Sequence, residues 1–238
     1  MRSPRAGRGF TLVELLVAVF AMSLLAVMSW RGLDGMTRAQ AQTEARADQV
    51  LTLQVGLQQW ATDLDAIIQL PQITALDWNG RVLRMTRRGT GATTTNGVVV
   101  VAWGRSVING SGTWLRWQSA EVTTRDQLLQ AWQQADIWSQ NPGPQEIQGE
   151  VAVTPLEEWQ LFYFRGGAWT NPMSSDATIV RPLTGGPTFG GIQASPPITP
   201  VVNLPDGVRL ILTLPPGQAI AGRLTRDWAR PTLSGPKS

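Results

Sequence analysis

The sequence predicts an α+β protein, in which a long N-terminal helix with a transmembrane first half packs on antiparallel β-sheet. An apolar segment near the N-terminus is long enough to cross a bilayer. A helical repeat of apolar residues continues to residue 67, and β-type segments separated by turns follow it. We therefore expect a leader at 1–9, a transmembrane helix at 10–30, its continuation at 31–70, and a β-rich domain at 71–238.

The composition excludes several kinds of catalytic and metal site. The chain has no Cys and no His, so it has no disulfide, no thiolate nucleophile and none of the common zinc or serine–histidine sites. No pair of carboxylates stands at a helical or strand spacing that would suggest a glycosidase. We expect a protein that is not an enzyme and that uses no metal or other cofactor.

The positive charge is concentrated at the N-terminus. Three of the 20 basic residues, Arg2, Arg5 and Arg8, precede the apolar segment, and the rest of the chain carries 17 basic and 17 acidic side chains. The excess charge therefore belongs to the leader, and we expect no nucleic-acid partner. Because basic residues stay on the cytoplasmic side, they predict a cytoplasmic N-terminus and place the chain after Arg31 outside the membrane.

The apolar segment from Phe10 to Trp30 would span about 30 Å as a helix, the thickness of a bilayer core. A secretory signal peptide fits less well, since its apolar region is about 7–15 residues long and ends at a small-residue cleavage site. A simple anchor explains the length and the arginines but not Glu14. An acid within a membrane segment is costly, and it usually marks a functional site.

The residues around Glu14 carry a resemblance. The run from Gly9 to Glu14 (GFTLVE) resembles the type IV prepilin processing motif, G-F-T-L-x-E. The resemblance implies cleavage between Gly9 and Phe10 by prepilin peptidase, then N-methylation of Phe10. Glu14 would be the fifth mature residue, about 6 Å from the new amino terminus, where it could pair with a neighbouring subunit's N-terminal amine. The alternative is an acidic side chain that reaches the membrane interface.

The helical pattern continues beyond the membrane segment. Apolar residues recur at steps of three and four, at Val50, Leu53, Leu57, Trp60, Leu64 and Ile67. Pro71 is expected to end a helix of about 55–60 residues. The apolar stripe is interpreted either as a partner-binding coiled coil or as a face packed on the protein's own sheet, and its short length favours the second.

The remainder is predicted to be mostly strands. Expected strands are 81–87, 98–103 after an Asn96-Gly97 turn, 113–118 after an Asn109-Gly110 turn, 151–153, 159–165 before a Gly166-Gly167 turn, 208–214 and 218–225. A short helix is expected at 125–135, with a Thr124–Gln127 capping box and an apolar side of Leu128, Leu129 and Trp132. The segment 171–203, rich in Pro and Gly, is expected to be a long loop, and the tail from Pro231 to be frayed.

The eleven tryptophans are expected to be core and strand-edge residues, since aromatic side chains normally serve in packing. A sugar- or base-stacking platform is the alternative for Trp114 to Trp117, where Arg116 lies between two aromatic residues.

Further segments resemble one branch of the pilin-like superfamily, the J-type minor pseudopilins (GspJ-like) of type II secretion systems. Arg31 to Asp34 resembles that family's R-G-L-D segment. Three later segments resemble the same family. Leu57–Leu70 resembles its L-x-x-D-L segment, Leu161–Trp169 resembles its f-x-Y-x-x-g-x-W segment, and Leu204–Leu210 resembles its L-P-x-x-V strand. K-type pseudopilins usually lack the mature fifth-position Glu, and major pseudopilins carry an acidic calcium loop that Asp206 and Asp227 do not make.

The resemblance implies a structural subunit at the tip of the pseudopilus, held in the bacterial inner membrane before assembly. Its implied partners are I-type and K-type minor pseudopilins, the major pseudopilin and prepilin peptidase. A minor type IV pilin for adhesion, motility or DNA uptake is the nearest alternative. A membrane-anchored enzyme or carbohydrate-binding module is the alternative from another class.

Overall fold

The computed structural model describes residues 10–70, 73–89, 97–173, 178–179, 201–202 and 204–231. The chain divides into two compact units, residues 1–48 and 49–238. The described part of the first unit is helical from Leu12 onward, and its side chains are exposed. The described part of the second unit contains the end of the same helix, a five-stranded and a four-stranded antiparallel sheet, a separate pair of short strands, and two further helices.

The long helix α1 (Leu12–Asp65) confirms that one helix begins in the apolar segment and continues well beyond it. It ends at Asp65, before the predicted residue 70. The reason is that the next backbone groups bond to a strand. Ile68 N–H donates to Thr86 O at 3.1 Å, and Arg88 N–H donates to Ala66 O at 3.1 Å. The predicted helix-ending residue Pro71 lies outside the described residues.

The first sheet has five antiparallel strands in chain order. They are β1 (Leu76–Trp78), β2 (Val82–Arg88), β3 (Val98–Ile108), β4 (Ser111–Gln118) and β5 (Glu150–Pro155). The strands predicted at 81–87, 98–103, 113–118 and 151–153 are confirmed, with β3 and β5 longer than expected. The turn between β3 and β4 is also confirmed, since Asn109 and Gly110 both have positive φ, at 50° and 79°. Asn96, in the other predicted turn, lies outside the described residues.

Helix α2 (Arg125–Gln140) follows β4, and a short helix α3 (Pro144–Ile147) precedes β5. The capping box is confirmed, because the Thr124 side chain accepts from Gln127 N–H and the Gln127 side chain accepts from Thr124 N–H. Helix α2 is longer than the predicted 125–135, because its last turn buries Trp138. Leu129, expected on the apolar side, is 47% exposed.

The second sheet has the strand order β11-β10-β6-β7. Its strands are β6 (Glu158–Arg165), β7 (Ala168–Thr170), β10 (Gly207–Leu214) and β11 (Gly222–Ala229), and β8 (Thr178–Ile179) pairs separately with β9 (Val201–Val202). The Gly166-Gly167 turn is confirmed, as is the hairpin of β10 with β11. The last strand begins at Gly222 rather than residue 218, because Ala219 N–H donates to the Gln49 side chain at 2.9 Å instead of joining the ladder.

Most of the predicted long loop 171–203 lies outside the described residues, and so does the tail beyond Pro231. Two short pieces of the loop segment are the strands β8 and β9, which makes the expectation of a wholly irregular segment wrong at those positions.

The first sheet is covered on both faces. The end of α1 packs on one face, where Leu53, Trp60 and Leu64 join core residues of both sheets. Helix α2 packs on the other face with Val82, Val100, Leu115 and Trp117. The apolar stripe of the helix therefore packs on the protein's own sheet, which confirms the interpretation that the sequence favoured over a partner-binding coiled coil. Trp114 and Trp117 are both buried, which rules out the stacking platform.

Candidate assembly site on the N-terminal helix

The first turn of α1 is closed by a reciprocal hydrogen-bonded pair, Thr11 and Glu14. Thr11 Oγ1 accepts from Glu14 N–H at 3.3 Å, while Glu14 Oε2 accepts from Thr11 N–H at 3.1 Å and from Thr11 Oγ1 at 3.0 Å. This is a capping box, which satisfies backbone donors that a helix start leaves without partners. A carboxylate there also interacts favourably with the positive end of the helix dipole.

The geometry leaves part of the Glu14 carboxylate available. The backbone N–H and the hydroxyl of Thr11 both donate to Oε2, and within the described residues Oε1 accepts no hydrogen bond. Oε1 is therefore available as a hydrogen-bond acceptor while the cap stays intact. Phe10, the expected methylated residue, is described and is 83% exposed. Gly9, the other side of the expected cleavage point, lies outside the described residues.

The residues that follow present an exposed apolar surface. Helix α1 contains a segment that is long and apolar enough to cross a membrane, and none of that segment is buried. All large apolar side chains from Phe10 to Trp30 are more than 45% exposed. Such a continuous apolar surface needs lipid or protein around it.

The Arg31–Asp34 segment lies inside α1, immediately after the apolar residues. Asp34 forms an ion pair with Arg38 one turn later, at 2.9 Å, and both side chains are more than half exposed. Exposed pairs of this type contribute little to stability, about 0.3–0.5 kcal/mol. Gly32 and Gly35 have open space where a side chain would stand. Among the described residues, the Arg31–Asp34 segment makes no tertiary contact that would explain its sequence.

Asp63, at the other end of α1, holds the helix to the sheet. Its carboxylate is fully buried and accepts from Arg116 Nε at 2.8 Å, Arg116 Nη2 at 3.0 Å and Trp103 Nε1 at 2.9 Å. Arg87 Nη1 lies 3.4 Å from the same carboxylate. Burial lowers the pKa of Arg87, and the attraction of Asp63 opposes that shift. The buried carboxylate thus fixes α1 to strands β2, β3 and β4.

The comparison with family models decides the class of the N-terminal segment. The model named Prokaryotic N-terminal methylation motif matches residues 4–30. The chain therefore carries the type IV pilin and pseudopilin signal. This match includes the expected cleavage point, Phe10, Glu14 and the apolar segment, and proteins of this motif family are structural rather than enzymatic. No curated protein matches the chain significantly.

Sequence reasoning found Glu14 but not the bonds it makes. The pattern Thr11-x-x-Glu14 before an apolar run is itself a capping-box signature, so the sequence contained the signal. The Asp63 cluster was also missed. Its partners come from three strands, and only the folded chain brings them together.

Proposed function

We propose that this chain is a J-type minor pseudopilin, a structural subunit at the tip of a type II secretion pseudopilus, and that it takes part in protein secretion across the outer membrane. The observation that carries the proposal is the methylation motif, with Glu14 at the fifth mature position, followed directly by the Arg31–Asp34 segment. The motif supports the pilin-like class, and the second segment favours the J-type branch.

The location of the later resembling segments supports this reading. Asp63, in the segment that resembles L-x-x-D-L, is the carboxylate at the helix–sheet junction. Tyr163, from the segment 161–169, and Val208, from the segment 204–210, are buried in the main core. Residues of this kind define a particular domain rather than a generic membrane anchor.

In the proposed assembly pathway, prepilin peptidase cleaves between Gly9 and Phe10, and Phe10 is then methylated. The subunit waits in the inner membrane, with its N-terminus cytoplasmic and its domain periplasmic. It then forms a ternary tip complex with I-type and K-type minor pseudopilins and primes addition of the major pseudopilin. The amine of a neighbouring subunit pairs with Glu14 and offsets the cost of burying that carboxylate.

A minor type IV pilin for adhesion, motility or DNA uptake shares the same methylation motif. The two readings differ in their partners. A membrane-anchored carbohydrate-binding module is less favoured, because the tryptophans that would form its platform are buried.

Co-purification tests the proposal. The tagged chain is expressed in its own cells, extracted in mild detergent and analysed for bound I-type and K-type minor pseudopilins. Minor pilins of any pilus system in the same cells serve as the comparison. We expect the I-type and K-type subunits to co-purify. Recovery of pilus subunits in their place would reject the secretion role in favour of the pilus role.

A further inference from the structure

An open groove of about 430 Å³ lies between the second half of α1 and the strand β5. We call it the α1–β5 groove. Both of its walls are mainly apolar, and its floor carries one charged side chain. Its principal lining residues are Leu51, Val55, Val151, Val153, Trp103 and Arg116.

The walls expose large apolar side chains that point into one space. Leu51 and Val55 are one helical turn apart and are 57% and 67% exposed, and Val151 is 58% exposed. Val151 pairs with Arg116 of β4, so both side chains lie on the sheet face that α1 covers only in part. Single exposed apolar residues are ordinary, whereas a set that shares a groove indicates an interaction site.

The strand wall of the groove has a free edge. In the described part of the chain, β5 is the last strand of the five-stranded sheet and pairs only with β4. Its pairing is irregular between Trp114 and Leu115, and the extra residue, Val153, contacts Gly56 of α1. A free edge offers backbone donors and acceptors to an added strand. An occupant that uses the edge is therefore extended, with alternate side chains directed into the groove.

The floor of the groove carries the positively charged side chain of Arg116. Two guanidinium groups, Arg87 and Arg116, share the single carboxylate of Asp63 in this buried cluster of described residues. Arg116 bonds Asp63 through Nε and Nη2, and its Nη1 makes no hydrogen bond within the described residues. Arg116 lines the groove, whereas Arg87 lies behind it, within the same cluster. A carboxylate entering the groove would meet the guanidinium of Arg116 in a cluster that has two arginines and one carboxylate.

We propose that the α1–β5 groove binds an extended apolar segment of a different pilin-like subunit, which adds to β5 and directs one acidic side chain at Arg116. This inference rests on the proposed function, because it takes the occupant to be a neighbour in the same assembly. It adds where the neighbour docks and what chemistry it presents there.

The test is site-specific photo-cross-linking in intact cells. A photoreactive phenylalanine analogue replaces Val55 in the groove, and the matched control replaces Leu129, an exposed apolar residue on α2. Both positions are on helix surfaces, so neither replacement disturbs the core. We expect a light-dependent cross-linked product from the variant with the photoreactive residue at position 55, and no such product from the variant with it at position 129. The partner and its cross-linked peptide are identified by mass spectrometry.

The proposal gains support if the partner is another pilin-like subunit and its peptide has alternating apolar residues with an Asp or Glu. A product with a second copy of this chain, with lipid, or with a peptide that lacks an acidic residue overturns it. No product at position 55, in cells where deletion of the chain blocks secretion, overturns this inference while the proposed function stands. A product with a protein outside the pilin-like class overturns this inference, and co-purification of the I-type and K-type subunits decides the proposed function separately.

A second measurement does not depend on the photoreactive residue. Val55→Glu places a carboxylate on the wall of the groove, and Leu129→Glu makes the same change elsewhere. We expect Val55→Glu to lose the co-purifying subunit and Leu129→Glu to retain it, with equal resistance of both variants to limited proteolysis. If the partner subunit still co-purified with the Val55→Glu variant, the proposal that it docks in the α1–β5 groove would be wrong.

Discussion

The Asp63→Asn substitution tests how the helix is held on the sheet. Asn has the same shape as Asp but no charge, and its amide group presents donors to neighbours that are themselves donors. The wild-type carboxylate accepts two hydrogen bonds from Arg116, one from Trp103 and one from Gln59 at 2.9 Å. The substitution therefore removes the counter-charge of two arginines without leaving a cavity.

The burial of this cluster sets the size of the effect. Asp63 is fully buried, and the side chains of Arg116 and Arg87 are only 12% and 5% exposed. Solvent therefore screens the lost interaction weakly. Breaking a buried pair by removing one partner costs about 3–5 kcal/mol. For a domain of this size, that corresponds to a fall in Tm of roughly 6–20 °C.

The assay is urea unfolding of the detergent-purified chain, followed by tryptophan fluorescence, since Trp103 contacts Asp63 directly. The matched control is Asp34→Asn, which breaks the exposed pair with Arg38 on the same helix and is expected to cost less than about 0.5 kcal/mol. If Asp63→Asn cost no more than the control, the cluster would not be what joins α1 to the sheet.

Three further predictions follow from single contacts. Gly56→Ala should lower the free energy of unfolding in urea by about 1–3 kcal/mol, because the added Cβ would clash with Val153. Gly35→Ala, the control, adds a Cβ in open space and should be neutral or stabilising. Equal effects of the two substitutions would refute the close packing of α1 on β5 at Gly56. Tyr163→Phe should leave the free energy of unfolding unchanged or raise it by about 1 kcal/mol. The buried hydroxyl has no hydrogen-bond partner among the described residues, and burial raises its pKa. A large fall in the free energy of unfolding would show that the hydroxyl is hydrogen-bonded in the folded protein. Glu14→Ala should be cleaved normally but assemble poorly, as measured by precursor processing and cross-linked assemblies; normal assembly would refute the role of that carboxylate.

Much of the fold could be predicted because local patterns and tertiary packing agree. The alternating run Thr113–Gln118 and the capping box at Thr124 specify their structures within a few residues, and both are confirmed. Strand β1 was missed because three residues are too few to show a period. What defines it is its pairing with β2, together with the 4.8 Å contact between the rings of Trp78 and Trp159.

The errors at element ends have a common physical cause. Residues 66–68 leave the helix because β2 offers their backbone groups better-placed partners. Residues 218–221 leave the last strand where Gln49 accepts a backbone hydrogen bond. Both partners are distant in sequence, so local propensity cannot reveal them.

The candidate site divides in the same way. Glu14 was found because the processing motif is a contiguous pattern. The Asp63 cluster and the α1–β5 groove each combine α1 with strand residues that lie far along the chain, from Arg87 to Val153. Their charge balance and exposure depend on strand register, which the sequence did not specify.

The most direct measurement of the central claim is the secretion phenotype of an in-frame deletion. The proteins released through the type II system are quantified in medium and periplasm, with and without the wild-type chain supplied in trans. The proposed function predicts that they accumulate in the periplasm and that the wild-type chain restores their release. Normal secretion, together with loss of a pilus-dependent activity, would contradict it and make the chain a pilus subunit.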